Sequence, residues 1–444
     1  VQSNISWNGA FCLLGNKSEL TVLFITSRLP FPPTDGRKIV LYHYCRYMHE
    51  KLGCRLIVVA LGSFGSSQST AVPSFIDRLV VLPLPSLVYA FFNWIVNIIK
   101  CRIIPLQSAV FWSARNQRVI QKIIAEENVD VVIGDMIRTG EYLLNIGSIY
   151  RKVADLDDLI STRYFRQITS KISTNPVGKA GSTRTIQVVS KILHNIGLIK
   201  AVVWLEAITA KRYETVLATK CDCSVLVSPV EVGRLMDRCP PGTKVYSIPP
   251  AVDHRLLTAD VDGPPLHAIT FLGALNVPHN VDGITRFIDE IWPRIMERDP
   301  DVVLRIVGRS PSARLQNRAR QHQRIDFIGE VDDFVPILKG SKVFVAPIWY
   351  GSGIKTKILE AMALGLPVVT TSIGVEGIAG VDGIHYVVAD DDEGFANSVL
   401  ALLADESRRV AIGRAARQLV EALYSFDTAL ASWGEILTGR REGV

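Results

Sequence analysis

Apolar residues in this chain come in short unbroken runs at regular intervals. LTVLFIT at 20–26 opens the series. CRLIVVAL (54–61), DRLVVLPL (77–84), VDVVIGD (129–135), KVADLDD (152–158), CSVLVSP (223–229) and KVYSIPP (244–250) follow. Runs without polar alternation are what parallel strands covered on both faces require. Stretches with helical spacing, 38–52 and 113–127 among them, separate the runs. Strands alternating with helices predict a doubly wound, Rossmann-like α/β domain over residues 21–250, after an irregular segment 1–20.

The pattern then breaks and restarts. Residues 251–266, rich in Pro, Asp and Gly, read as a linker. Beyond it come AITFLG (268–273), DVVLRIVG (301–308), IDFIGEV (325–331), SKVFVAP (341–347), LPVVTT (366–371) and IHYVVAD (384–390). Two amphipathic helices, DDEGFANSVLALLAD and ESRRVAIGRAARQLVEALYSF, close this part. A second doubly wound domain is predicted over 267–424, with a helix in 425–444 returning to the first domain. Two such domains facing each other leave a cleft at the C-terminal edges of their strands, where sheets of this kind bind ligands.

Composition narrows the class. A hydrophobic share of 48% and a charged share of 21% over 444 residues describe a globular protein of two domains. The seven cysteines are odd in number and scattered, which points to a reducing, cytoplasmic setting and not to a disulfide framework. Cys221 and Cys223 stand too close for the usual zinc spacing and have no second pair. Sequons at Asn4 and Asn16 follow no visible signal peptide and read as chance. No paired histidine spacing suggests a metal; His43 and His49 read as structural residues of a helix.

Charge is divided unevenly. Residues 1–250 hold 29 Lys and Arg against 17 Asp and Glu, and residues 251–444 hold 20 against 26. A basic first half is expected to face something anionic. SLVYAFFNWIVNII at 86–99 has 14 residues, short of the roughly 20 that a spanning helix needs. Together with the basic, apolar stretch 183–207, it predicts peripheral contact with an anionic membrane surface. The alternative is that both are buried helices of a wound domain.

The densest local chemistry lies in YGSGIKTKILEAMALGLPVVTT, residues 350–371. A glycine turn, Gly351-Ser352-Gly353, follows a buried strand and enters a helical pattern through Ile354, Lys355 and Lys357. Free amides and the positive end of the helix dipole would then meet the cleft, and glycine permits close backbone approach. This is an anion site suited to a diphosphate. Glu360, about one turn on, can accept hydrogen bonds from two vicinal hydroxyls, as on a ribose. The alternative is an ordinary turn with solvated lysines.

The stretch GSGIKTKILEAMALGLPVVTT with IGVEGI resembles the donor-site signature of retaining glycosyltransferases of the GT-B fold, family 4. FLGALNVPHNVDGI, LRIVGRSP, IDFIGEVDD and VAPI extend the resemblance in order over 268–424, and the exopolysaccharide-type branch shares the GSG.K.K.LEAMA form. The resemblance implies two Rossmann-like domains across a cleft and transfer of a hexose from a UDP- or GDP-linked sugar, with retention. The acceptor would be a glycan or lipid-linked hydroxyl. No cofactor, catalytic metal or nucleic-acid partner is implied. Glu360 would hold the ribose, the glycine turn the diphosphate, and Arg309 and Ile328 would border the base. Two departures stand out. Ser352 replaces an acid that many relatives place against the hexose, and GALNVPHN lacks their Arg and Lys. Lys355 or Lys357, with Arg37, is expected to supply the missing cation.

In the first domain, Gly36 and Arg37 lie in the loop after the first strand, where Gly36 would let the chain approach the donor phosphates. A Pro-stiffened surface loop is the alternative. Asp135 matches a position where relatives place a cleft-facing acid; it would otherwise cap a helix. Asp155 and Asp157 should share a strand face, with Asp158 on the other. Asp135, Asp157 and Lys357 are thus the candidate catalytic groups. Two rival readings keep the pocket: a sugar-nucleotide epimerase or hydrolase, and a non-catalytic nucleotide-binding subunit.

Overall fold

The computed structural model describes residues 19–62, 71–99, 104–169, 199–259 and 265–439. The sequons at Asn4 and Asn16, most of segment 1–20 and most of the basic stretch 183–207 lie outside them. Seven parallel strands form the first sheet: β1 (Thr21–Thr26), β2 (Arg55–Leu61), β3 (Arg78–Leu82), β4 (Val131–Asp135), β5 (Arg151–Asp157), β6 (Cys223–Leu226) and β7 (Val245–Ser247). Six form the second: β8 (Leu266–Leu272), β9 (Val303–Val307), β10 (Ile325–Gly329), β11 (Ser341–Ala346), β12 (Val368–Thr370) and β13 (Val387–Val388).

The unbroken apolar runs have the expected cause. In β1, Leu23 and Ile25 enter one core and Val22 and Phe24 the core on the opposite face. The second sheet divides in the same way, with Ile269 and Phe271 on one side and Phe344 and Ala346 on the other. The central strands therefore bury both faces, and alternation has no role in them, while the outer strands β3, β7 and β10 stay partly open.

Strand order is β3-β2-β1-β4-β5-β6-β7 in the first sheet and β10-β9-β8-β11-β12-β13 in the second. The order reverses direction between β1 and β4, and again between β8 and β11. Connections there leave to opposite faces and open a crevice at the carboxyl ends. These two crevices face each other.

The chain passes between the domains twice, side by side. Val252 and Ser425 pair as a bridge, and the Val252 amide donates to the Tyr424 carbonyl at 2.8 Å. After that second passage the helices Phe426–Leu430 and Trp433–Thr438 pack on the first sheet. Trp433 is buried with its ring 5.0 Å from that of Tyr44, and Arg151 donates to the Ile436 carbonyl at 2.7 Å. His43, on the Gly36–Glu50 helix, is buried against the Ala251 carbonyl at 3.0 Å, a structural contact beside the first passage.

Candidate active site

A cavity of about 630 Å³ occupies the space between the two crevices. Its first-domain wall is built from Gly36, Arg37, Asp157 and Asp158, and its second-domain wall from Gly273, Arg309, Ser352–Lys357 and Glu360. All of these follow the carboxyl ends of strands or open a helix.

Two helix N-termini meet here. The Gly36–Glu50 helix starts at Gly36, with Asp35 as its cap accepting from the Lys38 amide at 3.2 Å. The Thr356–Ala363 helix starts opposite, and no side chain caps it. A Cβ added at Gly36 would lie 3.4 Å from Thr356 Oγ1, so the helix starts are nearly in contact. Unpaired amides and two positive dipole ends are thereby directed to one region. The turn leading into the second helix has φ of 136° at Gly351 and 68° at Gly353, a left-handed geometry that favours glycine.

Two buried lysines stand at this helix start. Lys355 Nζ donates to the carbonyls of Ser352 (3.0 Å) and Gly353 (2.6 Å), and Lys357 Nζ donates to Asn280 Oδ1 (2.6 Å). Lys357 Nζ also lies 4.7 Å from the centre of the Phe271 ring. Asn280 ends the GALNVPHN stretch, in the first turn of the Pro278–Arg286 helix, so Lys357 puts its charge where that stretch lacks a cation of its own. Burial pushes the Lys355 ammonium down to about 8 and Lys357 to about 7, in the second case helped by repulsion from Lys355. Burial lifts the Glu360 carboxyl to about 7, against the attraction of Arg255 and Lys357. Among the described residues the Glu360 carboxylate accepts no hydrogen bond, and Glu360 lines the cavity.

Four expectations need correction. Arg37 is not a free cation for phosphate. It lies within a ring of carboxylates, donating to Asp135 Oδ1 (2.9 and 2.8 Å), Asp155 Oδ2 (2.5 Å) and Asp157 Oδ1 (3.0 Å). Asp135 neither faces the cleft nor caps a helix. It is fully buried, with its second oxygen accepting from the Ser27 amide and hydroxyl. Burial would raise its carboxyl, but Arg37 and Arg28 outweigh that and hold it below the ordinary range. Ile328 does not line the cavity. A register shift between Phe327 and Gly329, with φ of 81° at Gly329, turns the chain so that Glu330–Asp332 meet it instead. Gly351 also stands behind the wall, its carbonyl taken by Arg166 at 2.7 Å.

The other expected residues converge. Gly36, Ser352, Gly353, Ile354, Lys355, Lys357 and Glu360 line the cavity, as does Arg309, which pairs across the cleft with Asp35 at 3.4 Å. Asp155 and Asp157 share Arg37, while Asp158 turns to Arg163 and Ser352. Asp157 ends β5 at φ 64°, a left-handed position that costs an ordinary residue about 1–3 kcal/mol and often marks a functional site. Burial lifts its carboxyl above the usual range. Sequence reasoning missed Asp158, Arg163, Arg166, Arg234 and Glu376. The one available signal was the spacing of Arg163 and Arg166, which puts both on one helix face.

Residues 267–405 match the family model described as glycosyl transferases group 1. A phosphatidyl-myo-inositol mannosyltransferase of Mycobacterium leprae is 33% identical over 146 residues, 32% of this chain and 38% of that protein. The chain spans between about a third and half the length of the first curated relatives it matches. Among solved structures, sucrose-phosphate synthase of Thermosynechococcus elongatus superposes with a TM-score of 0.68 at 14% identity, covering 95% of this chain and 99% of that one. HepE of Anabaena, solved with UDP and glucose, gives 0.64 at 13% identity, covering 95% and 100%. The family match covers residues 267–405 and the likeness in structure about 95% of the chain, so residues 267–405 are a glycosyl transferases group 1 domain within a chain of GT-B fold.

Proposed function

We propose that the chain transfers a hexose from a nucleoside diphosphate sugar to a hydroxyl of a glycan or lipid-linked acceptor, with retention of configuration. The observation that carries this reading is the meeting of two helix N-termini with two buried lysines whose hydrogen bonds, among the described residues, go to neutral oxygens only. Breaking the bond between sugar and diphosphate builds negative charge on the leaving phosphate. Preorganised amides and cations stabilise that charge more than they stabilise the intact donor, which lowers the barrier. Lys355 and Lys357 sit where burial makes a positive charge costly, so an arriving dianion relieves that cost.

Glu360 is assigned to the ribose hydroxyls. Arg309 and the Glu330–Asp332 segment are assigned to the base end. Asp157, at the first-domain wall, is assigned to the acceptor hydroxyl, with the leaving phosphate helping to take the proton. The names of the relatives support a sugar donor and a lipid acceptor: one is a phosphatidyl-myo-inositol mannosyltransferase, and HepE was solved with UDP and glucose.

The membrane side of the reading rests on two apolar surfaces. The Leu87–Ile99 helix exposes Val88 and Phe92, and the Ile199–Lys220 helix exposes Trp204 and Leu205. The Leu106–Phe111 helix joins them: it packs on the first, and its Leu106 and Gln107 amides donate to Glu206 of the second. Among the described residues no helix is long and apolar enough to cross a membrane. We assign these surfaces to an anionic leaflet, on the cytoplasmic face, that presents the acceptor.

Calorimetry with UDP, GDP, ADP and their sugars tests the donor assignment; saturable binding of one nucleotide and its sugar is expected, and binding of none overturns it. Liposome flotation tests the surface. Recovery should require anionic lipid and fall with salt, because attraction between exposed charges is screened. Equal recovery from neutral vesicles, or none from either, overturns the surface assignment.

A further inference from the structure

The glycine turn of the second domain is gripped by side chains of the first. Arg163 and Arg166 project from the Ile160–Thr169 helix, which follows β5. Arg166 Nη1 donates to the Gly351 carbonyl at 2.7 Å. Arg163 Nε donates to Ser352 Oγ at 3.2 Å and to Asp158 Oδ2 at 3.1 Å, and the Ser352 hydroxyl donates to the same Asp158 oxygen. Three first-domain groups thus fix two successive residues of the turn.

Arg166 is itself anchored. It forms a paired contact with Glu376 of the second domain, at 3.1 and 2.6 Å. Arg234, on the Pro229–Met236 helix, makes a second paired contact with the same carboxylate at 2.8 and 3.2 Å. Burial would raise the Glu376 carboxyl, but the two arginines outweigh it and hold it at about 2. Planar guanidinium–carboxylate pairs fix geometry as well as charge. The backbones leave no slack. A Cβ on Gly353 would lie 3.2 Å from Asp158 Cβ, and one on Gly377 only 2.3 Å from Ser228 Oγ.

A turn of two left-handed glycines has little rigidity of its own, because glycine occupies many backbone states at similar energy. Lys355 ties the carbonyls of Ser352 and Gly353 from within the second domain. The Gly351 carbonyl and the Ser352 side chain are tied only from across the cleft among the described residues.

We propose that Arg163 and Arg166 are positioning residues of the donor site. With Glu376 and Arg234 as anchor, they set the 351–353 turn from the opposite domain, so the phosphate cradle takes its working shape only while the domains touch. This rests on the nucleoside diphosphate reading above. Its consequence is that the first domain, which carries the acceptor side, controls how well the second holds the leaving phosphate.

The test compares a nucleoside diphosphate with its monophosphate, using whichever of UDP, GDP or ADP the wild-type chain binds. Arg166→Ala should weaken diphosphate binding about tenfold, the worth of one charge-assisted hydrogen bond, and leave monophosphate binding within about twofold. Arg166→Lys should restore the melting temperature yet recover only part of the diphosphate affinity, since one ammonium cannot serve Glu376 and the Gly351 carbonyl with planar geometry. Glu376→Gln, which keeps shape, should reproduce the diphosphate loss if Arg166→Ala fails to fold. An unchanged ratio of diphosphate to monophosphate affinity in the folded variants overturns the positioning role and leaves the donor reading intact. A wild-type chain that binds none of the three nucleotides overturns both.

Discussion

Arg37 and Lys357 are buried cations on opposite walls of one cleft, and they are held in opposite ways. Arg37 is enclosed by Asp135, Asp155 and Asp157. Burial works against its charge, but the three carboxylates outweigh burial and hold its pKa well above the ordinary value. Lys357 meets one amide oxygen and an aromatic ring, and burial pulls it down to about 7. The first charge is spent inside the protein. The second is paired with no carboxylate within hydrogen-bonding distance among the described residues, which is what an incoming anion requires. Residue type alone cannot tell these cases apart; the number of carboxylates within reach does.

The largest effect should come from breaking the enclosed cation. Arg37→Met leaves three carboxylates, two of them fully buried, without their cation, and removing one partner of a buried charge network costs about 3–5 kcal/mol. Urea denaturation should show that loss. Lys357→Met should cost far less stability, because it removes a charge that burial already disfavours. Equal losses in the two variants would dissolve the contrast.

Next comes turnover. Lys357→Met should lower kcat by about 100-fold, the usual scale for one preorganised stabiliser of developing charge, with a smaller change in nucleotide affinity. Steady-state assays with the identified donor, alongside calorimetry, would separate the two. Wild-type kinetics would return Lys357 to a packing role.

Glu360→Gln probes the ribose end of the same wall. Losing a charge-assisted acceptor should weaken nucleotide binding by about 1–3 kcal/mol without lowering the melting temperature, since burial already disfavours the charged carboxylate. Unchanged affinity would remove Glu360 from the ribose.

The smallest signal is protonic. At pH 8 the unliganded chain holds Lys357, lowered to about 7, largely neutral and Lys355, lowered to about 8, half neutral. A bound diphosphate raises both, so binding at pH 8 should take up protons, and at pH 6 the lysines should take up none. Calorimetry in buffers of different ionisation enthalpy reads this, and Lys357→Met should shrink the uptake. Stability carries the same sign. The unfolded chain binds more protons at these lysines between about pH 7 and the ordinary lysine value, so their contribution to stability should rise with pH across that window. Glu360 acts oppositely below it. Its carboxyl, raised to about 7, makes its contribution fall as pH rises from the ordinary glutamate value towards 7.

The order of strands and helices was legible because it depends on local pattern. Runs such as Val131–Ile133 and Val343–Ala346 bury both faces of a strand, so composition alone marks them. The turn at 351–353 and the helix start at Thr356 were legible for a similar reason, since glycines and helical spacing are local codes. Partners were not. Arg37 reaches Asp135 from 98 residues away, and Asp158 reaches Ser352 across 194. Periodicity states which face a residue occupies; only the packed sheets decide what stands opposite. The sequence by itself thus determined two wound domains and a glycine turn entering a lysine-flanked helix. The tertiary structure decided which cation is enclosed and which is available. It also decided that the turn is held from the far side, because each of these depends on distances between segments that no local pattern encodes.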